Sequence, residues 1–281
     1  MVFALCGGDE RIVRLAGMLL ADGHGVKVWA LEGAQLPDGA RACDSAAECV
    51  LDADCVVLPM PASVRRGLLN APLSKKTHCM GEIFAAVAPG TPVCAGGVGA
   101  DVRAMAGDVR LHDYAALESY RAANSLATAE GAIGVLLGET AGVLCGRCCL
   151  IIGAGRITRA LAPRLAALGL RVTVASRSPD SRAWALAQGL EAQDAAKICC
   201  EGMDIVVNTA PALVLTASRL TELPEGALVL DLASAPGGTD FDAARAFGIR
   251  ALTAPGLPGK WSPDAAAAAV RDAIYRSMED E

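Results

Sequence analysis

CLIIGAGRITRALAPRLAALGLRVTVASRS, Cys149 to Ser178, decides the fold. The apolar run CLII leads into Gly153-Ala154-Gly155, then a segment of helical period, then a second apolar run, RVTVA. Strand, glycine turn, helix and strand make a βαβ unit, and a G-x-G at its first turn lets backbone approach a pyrophosphate at the helix N-terminus. Thr158 stands where the third glycine of G-x-G-x-x-G belongs. That position governs how closely helix and strand pack and touches phosphate least, so the loop keeps its purpose.

The pattern occurs twice. FALCGGDERIVRLAGMLLADGHGVKVWALE, from Phe3, lies on the segment from Cys149 with Gly7 against Gly153, and Val26 and Val28 against Val172 and Val174. DADCVVLPMP (52–61) matches MDIVVNTAP (203–211), pairing Asp54 with Asp204 and Pro61 with Pro211. Strands alternating with helices of this length predict right-handed crossovers and parallel sheets. The expected fold is α/β, two Rossmann-like doubly wound parallel-sheet domains joined by crossing helices. Residues 1–123 form a flavodoxin/Rossmann-like, substrate-side domain, to which 263–281 return. Residues 124–262 form a crossing helix and the nucleotide-binding domain.

Composition agrees. Apolar residues make up 53% of the 281 and aromatics 4%, which suits helices packed on a parallel sheet. A net charge of −6 argues against nucleic acid as a partner, because phosphate backbones need a basic face. No apolar run approaches the ~20 residues of a membrane span, and MVFALCGGDE lacks a basic leader region. The eleven cysteines sit mostly in apolar segments, as reduced core residues do. These features point to the cytoplasm. Cys145 and Cys148 have C-x-x-C spacing but lead into a strand, not onto a helix N-terminus, so packing is preferred to a metal or redox role.

Only the second copy reads as a nucleotide site. Where it has Gly155 the first has Asp9, followed by Glu10. Two carboxylates there repel phosphate and suit capping of a helix. The expected cofactor contacts are Gly153, Ala154, Gly155, Arg156 and Ile157. At the next strand end come Ser176, Arg177 and Ser178, with no acid until Asp180. An arginine between two hydroxyls suits a ribose 2′-phosphate, so NADP is expected in preference to NAD. Thr209, Ala210 and Pro211, then Ala233 and Ser234, end the following strands. The segment Ala235 to Asp240 lines the cleft beyond, and the loop Ala254 to Gly259 offers glycine amides. In NSLATAEGAIGVLLGE, Asn124 or Ser125 is a candidate N-cap of the crossing helix. Ser262, Pro263 and Asp264 open the last helix, whose stripe Val270, Ile274 and Met278 should pack back on the first domain.

NSLATAEG, LDLASAPGGTDF and APGLPG, around GAGR and ASRS and after the opening Gly7-Gly8-Asp9-Arg11, closely resemble the family of the dipicolinate synthase A subunit, the dehydrogenase-like subunit of spore-forming bacteria. The resemblance runs in order through nearly the whole chain. Departures are Thr158, where the family has glycine, and Lys260, where an apolar residue is expected. The resemblance implies NADP-linked oxidation of dihydrodipicolinate to dipicolinate, in the mother-cell cytoplasm during sporulation. It also implies a flavoprotein-like B subunit of dipicolinate synthase as partner, and a homo-oligomer is compatible with it. The small dicarboxylate substrate then needs anion-binding groups. Asn124, Ser125 and Thr128 at the helix start are candidates for one carboxylate, and Arg121 or the Gly237 and Gly238 amides for the other. Glu130 and Asp240 are candidate proton acceptors.

Three alternatives compete. A 2-hydroxyacid dehydrogenase uses a histidine after the cofactor domain's strands, yet His24, His78 and His112 all precede Gly153. A shikimate-type reductase wants a Lys–Asp pair, and no spacing supports Lys75 or Lys76 with Asp101 in that role. A non-catalytic NADP-binding subunit is compatible with every residue above.

Overall fold

The computed structural model describes residues 1–65, 67–234 and 236–279, so Ala235 of the glycine-rich segment lies outside the described residues. The chain forms two compact units, Met1–Asn124 with Pro258–Glu281, and Ser125–Leu257.

The first unit contains β1 (Val2–Cys6), β2 (Gly25–Trp29), β3 (Arg41–Ala42), β4 (Cys55–Val57), β5 (Ser63–Arg65), β6 (Leu68–Leu69), β7 (Val93–Ala95) and β8 (Leu111–Asp113). Six of these form a parallel sheet in the order β3-β2-β1-β4-β7-β8, while β5 and β6 make a separate antiparallel hairpin. Its helices are α1 (Glu10–Ala21), α2 (Ala46–Val50), α3 (Met80–Ala86) and α4 (Ala100–Ala106). The central strand is buried on both faces. Phe3 and Leu5 join Ile12, Leu15 and Leu19 of α1, whereas Ala4 and Cys6 join Met80 and Ile83 of α3. Such two-sided burial explains why the strand reads as an unbroken apolar run. Each fully buried Leu or Ile contributes about 1.5–3 kcal/mol.

Next comes α5 (Glu118–Glu139), then the second unit's β9 (Cys148–Ile152), β10 (Arg171–Ser176), β11 (Glu191–Asp194), β12 (Ile205–Asn208), β13 (Leu228–Asp231) and β14 (Arg250–Thr253). These strands form a second parallel sheet, β11-β10-β9-β12-β13-β14, with α6 (Arg156–Ala167), α7 (Pro179–Ala187), α8 (Ala217–Leu220) and α9 (Phe241–Ala246). Two six-stranded parallel sheets of the same order are two doubly wound Rossmann-like folds.

The repeat extends to individual hydrogen bonds. The Val2 amide donates to Asp54 Oδ2 (2.7 Å) and the Cys148 amide to Asp204 Oδ2 (2.8 Å). The Gly7 amide donates to Trp29 O (2.8 Å) and the Gly153 amide to Ala175 O (2.9 Å). Phe3 pairs with Val26 and Leu5 with Val28; Cys149 pairs with Val172 and Ile151 with Val174.

Two local expectations are corrected. The crossing helix does not start at Asn124 or Ser125. Helix α5 opens at Glu118, and the Arg121 amide donates to Leu117 O (3.0 Å). Ala122 and Ala123 are strong helix formers with no breaker before them, so the chain winds through Asn124 without needing it as a cap. The segment Ala254 to Gly259 is not an open loop throughout, since Leu257–Trp261 form the short helix α10. Gly259 lies against Asp9 and Arg11, where a Cβ would come within 3.1 Å of Asp9 Oδ2. Lys260 is exposed. The last helix, α11 (Pro263–Glu279), belongs to the first unit. Val270 and Ile274 are buried beside Leu15 and Leu19, with Met278 packed against them. Tyr275 Oη donates to Asp22 (2.8 Å), next to Arg271.

Among the described residues no helix is long and apolar enough to cross a membrane.

Candidate dinucleotide site

The expected cofactor residues converge on one edge of the second sheet. Strands β10, β9, β12 and β13 are neighbours there, and the sheet order reverses direction between β9 and β12. Such a switch point, beyond the carboxyl ends of parallel strands, is where open α/β sheets bind ligands.

Gly153 takes φ +104°, and a Cβ there would stand 2.3 Å from Thr209 Oγ1. Only glycine satisfies both demands. Gly155 is the N-cap of α6 with extended backbone (φ −80°, ψ −166°) and no side-chain cap. Nothing among the described residues lies within 4 Å of where its Cβ would be. The α6 N-terminus is therefore approachable by an anion, as a bound pyrophosphate requires.

Thr158 explains itself. It is buried, and its hydroxyl donates to Gly153 O (3.0 Å) and lies 3.3 Å from Thr209 Oγ1. Thr209 Oγ1 in turn donates to Ile152 O (2.9 Å). The threonine thus ties the start of α6 to the ends of β9 and β12, replacing close glycine packing with hydrogen bonds.

At the end of β10, the buried Ser176 hydroxyl accepts the Ser178 amide (3.2 Å), and Ser178 Oγ caps α7 by accepting the Ser181 amide (3.3 Å). Arg182 Nη1 donates to Ser176 O (2.7 Å) and to Arg177 O (3.2 Å). Both serines are thus occupied in shaping the turn. Arg177 is exposed, and it forms no ion pair among the described residues. Beside this turn a groove of about 400 Å3 runs between α6 and α7, lined by Ala154, Thr158, Arg159, Ser181 and Trp184 among others.

The third and fourth strand ends are locked by a pair not singled out from the sequence, Asn208 and Asp231. Both are buried. Asn208 Nδ2 donates to Asp231 Oδ1 (2.9 Å), and Asn208 Oδ1 accepts the Ala210 amide (3.1 Å). Asp231 also accepts the amides of Ala233 (2.9 Å) and Gly238 (2.8 Å). Within DIVVN and LDLAS these residues look like ordinary strand termini; only parallel pairing of the two strands, which sets Asn208 opposite Asp231, reveals the lock.

That lock removes an expected role. The Gly238 amide is bound to Asp231, and the Gly237 amide donates to Ser234 O (2.9 Å). Neither glycine has an amide to give a substrate carboxylate. Gly238 serves packing instead, since a Cβ there would strike Asn208 Nδ2 at 2.3 Å. Asn124, Ser125 and Thr128 likewise sit inside α5, where backbone amides are taken by the helical ladder. Arg121 is exposed and gives its Nε to Ala115 O (2.8 Å).

The two candidate acids are engaged locally. Asp240 caps α9, accepting the Ala243 amide (2.9 Å). Glu130 is exposed on α5, 3.9 Å from Arg164 Nε. Arg164 lies roughly 13 Å along α6 from Gly155 at 1.5 Å per residue, so this pair lies on the helix flank.

In the first unit the equivalent turn is closed. Asp9 caps α1 by accepting the Arg11 amide (3.1 Å), and the Arg11 guanidinium grips its carboxylate at 2.8 Å through both Nε and Nη2. Burial would lower the Arg11 pKa, but the Asp9 hydrogen bond and charge raise it. The Gly8 amide donates to Asn70 O (2.8 Å), and a Cβ on Gly7 would meet Leu69 at 2.7 Å.

Fold and site define a protein of the Rossmann class, with one domain whose dinucleotide turn is open and one domain of similar plan whose turn is filled. Residues 2–115 match the family of the N-terminal domain of the dipicolinate synthase A subunit, and residues 149–235 match the family of NADP oxidoreductase, coenzyme F420-dependent. The dipicolinate synthase A subunit of Bacillus subtilis (strain 168) is 36% identical over 159 residues, 56% of this chain and 54% of that protein. The aligned stretch thus spans about half of the relative's own length. The crystal structure of the Bacillus halodurans A subunit superposes with a TM-score of 0.88 at 27% identity, covering 99% of this chain and 97% of that one. Its Bacillus subtilis counterpart gives 0.86 at 26%, covering 100% and 96%. A transhydrogenase from Sinorhizobium meliloti (TM-score 0.71, 19% identity, covering 99% and 93%) shares the fold. The chain thus resembles the dipicolinate synthase A subunit throughout, and its residues 2–115 match the family of that subunit's N-terminal domain.

Proposed function

We propose that this chain oxidises dihydrodipicolinate to dipicolinate with NADP, as the A subunit of a dipicolinate synthase. The observation that carries the reading is the open Gly153–Gly155 turn, one strand away from the exposed Arg177, in a chain whose whole length resembles that protein. NADP, when bound, supplies a hydride acceptor, and the gain of an aromatic ring drives the oxidation.

The chain's own work is then alignment and charge compensation. Gly153, Ala154, Gly155, Arg156 and Ile157 hold the pyrophosphate at the α6 N-terminus. Arg177 takes the 2′-phosphate by charge-assisted hydrogen bonds, on a turn held by Ser176, Ser178 and Arg182. Thr209 to Pro211, with Ala233 and Ser234, form the floor that Asn208 and Asp231 keep rigid. Rigidity matters because productive hydride transfer depends on near-attack geometry. Glu130 and Asp240 are the acids to test as proton acceptor. The partner is the flavoprotein-like B subunit, and the setting is the mother-cell cytoplasm of a sporulating bacterium.

A second reading, a non-catalytic NADP-binding subunit, is favoured by one observation: Asp240 is used as the cap of α9 and Glu130 lies beside Arg164. The purified chain, alone and with the B subunit, separates the two when NADPH formation and dipicolinate absorbance are followed together. Coupled appearance of both products supports the enzyme. Tight NADP binding without turnover in either mixture supports the regulatory reading.

A further inference from the structure

The Gly237 and Gly238 amides are bound within the chain, so a dicarboxylate calls for other positive groups. A cavity of about 500 Å3 in the first unit, lined by parts of β5, β6 and the turn that follows them, carries the required groups. Arg65, Lys75 and Lys76 line it with Ser74 and Asn70, and no acid does so among the described residues. Three cations around one cavity are notable in a chain of net charge −6. Leu68 adds an apolar surface, and the volume suits a single small molecule.

The wall is built into the sheet. Asn70 O accepts the Gly8 amide and Leu73 O accepts the Gly33 amide (2.7 Å), so residues 70–73 lie across the carboxyl ends of β1 and β2, the ligand-binding edge of a parallel sheet. Asn70 Nδ2 donates to Pro61 O (2.9 Å). Ser74 Oγ accepts the Lys76 amide (3.1 Å) and lies 2.8 Å from Nε2 of the buried His78, which packs edge-on against Trp29 at 4.5 Å. Both lysines therefore project from a fixed turn. Burial would raise the nearby Glu32 carboxyl, but its own backbone amide, Ser74, His78 and Lys76 hold it below the usual range.

We infer that this cavity binds a small planar dicarboxylate, with one carboxylate on Arg65 and the other on Lys75 and Lys76. The inference rests on the dicarboxylate substrate proposed above. Its test is calorimetric titration of the full chain with pyridine-2,6-dicarboxylate, pyridine-2-carboxylate and inorganic phosphate, each with the wild type and an Arg65→Gln/Lys75→Gln variant. NADP affinity and melting temperature serve as fold controls, because both side chains are exposed. The expected result is binding of the dicarboxylate at least about tenfold tighter than the monocarboxylate, a ratio worth ~1.4 kcal/mol. The double variant should lose about thirtyfold or more while NADP affinity holds, and Lys76→Gln should lose less. Unchanged dicarboxylate affinity in the double variant overturns the site. So does phosphate binding as tight as the dicarboxylate, or no binding of any of the three anions. Turnover in the presence of the B subunit separates this from the functional reading. An unchanged KM for dihydrodipicolinate in the double variant sinks the site alone, whereas absent turnover with variant-sensitive dicarboxylate binding sinks the function alone.

Discussion

The two glycine turns of this chain lead into equivalent N-cap positions and end with opposite uses. Asp9 and Gly155 occupy the same N-cap position with similar extended backbone, φ −103° and ψ −166° against φ −80° and ψ −166°. The turn in the first unit is filled by its own chain, with Asp9 gripped by Arg11 and with Leu69 and Asn70 seated over Gly7 and Gly8. In the second unit, space remains where a side chain at Gly155 would begin. A dinucleotide turn is thus closed twice over, by charge and by bulk, and restoring one without the other should not reopen it.

The strongest test is to make the open turn resemble the closed one. Gly155→Asp should lower NADP affinity about a hundredfold, ~2.7 kcal/mol, with the melting temperature unchanged because the Cβ enters open space and aspartate is a good N-cap. Fluorescence titration and thermal unfolding check the two halves. The reverse change, Asp9→Gly, should create no nucleotide site, because Leu69 and Asn70 still fill the turn. It should cost about 2–3 kcal/mol in chemical denaturation, mostly from leaving the buried Arg11, still bonded to Met60 O, without its counter-charge. NADP binding by the first unit of that variant would break the comparison.

Smaller effects sharpen it. Arg177→Gln should weaken NADP about tenfold and leave NAD within about twofold, since only the 2′-phosphate contact is lost. Equal losses for both nucleotides would remove Arg177 from that role. Thr158→Gly, which restores the usual third glycine, should cost about 1 kcal/mol of stability through the lost hydrogen bond to Gly153 O. NADP affinity should stay within about twofold, because the residue lies behind the turn.

Much of this architecture was legible because it depends on short-range pattern. The glycine turns, the apolar strands and the Asp54–Asp204 correspondence are local features that occur twice, and repetition separates signal from accident. Helix α11 was legible for a similar reason, as Ser262, Pro263 and an apolar stripe need no knowledge of distant residues. What escaped was set by contacts far apart in sequence. Asn208 and Asp231 become a lock only when β12 lies beside β13, and their bonds consume the glycine amides that looked available. The N-cap at Asn124 failed because residue type alone does not say whether a helix has already begun. The basic cavity was invisible because Arg65 and Lys75 belong to a hairpin and a turn whose positions are fixed by bonds to the segments that follow β1 and β2.

The return of α11 has a consequence for how the polypeptide is made. The apolar face of α1, with Ile12, Leu15 and Leu19, is completed by Val270 and Ile274, which leave the ribosome some 250 residues later. At roughly 5–20 residues per second, that face waits for about 13–50 s while the whole second unit is synthesised. The nascent first unit therefore carries an uncovered hydrophobic stripe throughout that interval. The second unit, whose core lies within one uninterrupted stretch, can close as soon as it emerges, so synthesis favours completing the nucleotide-binding half first.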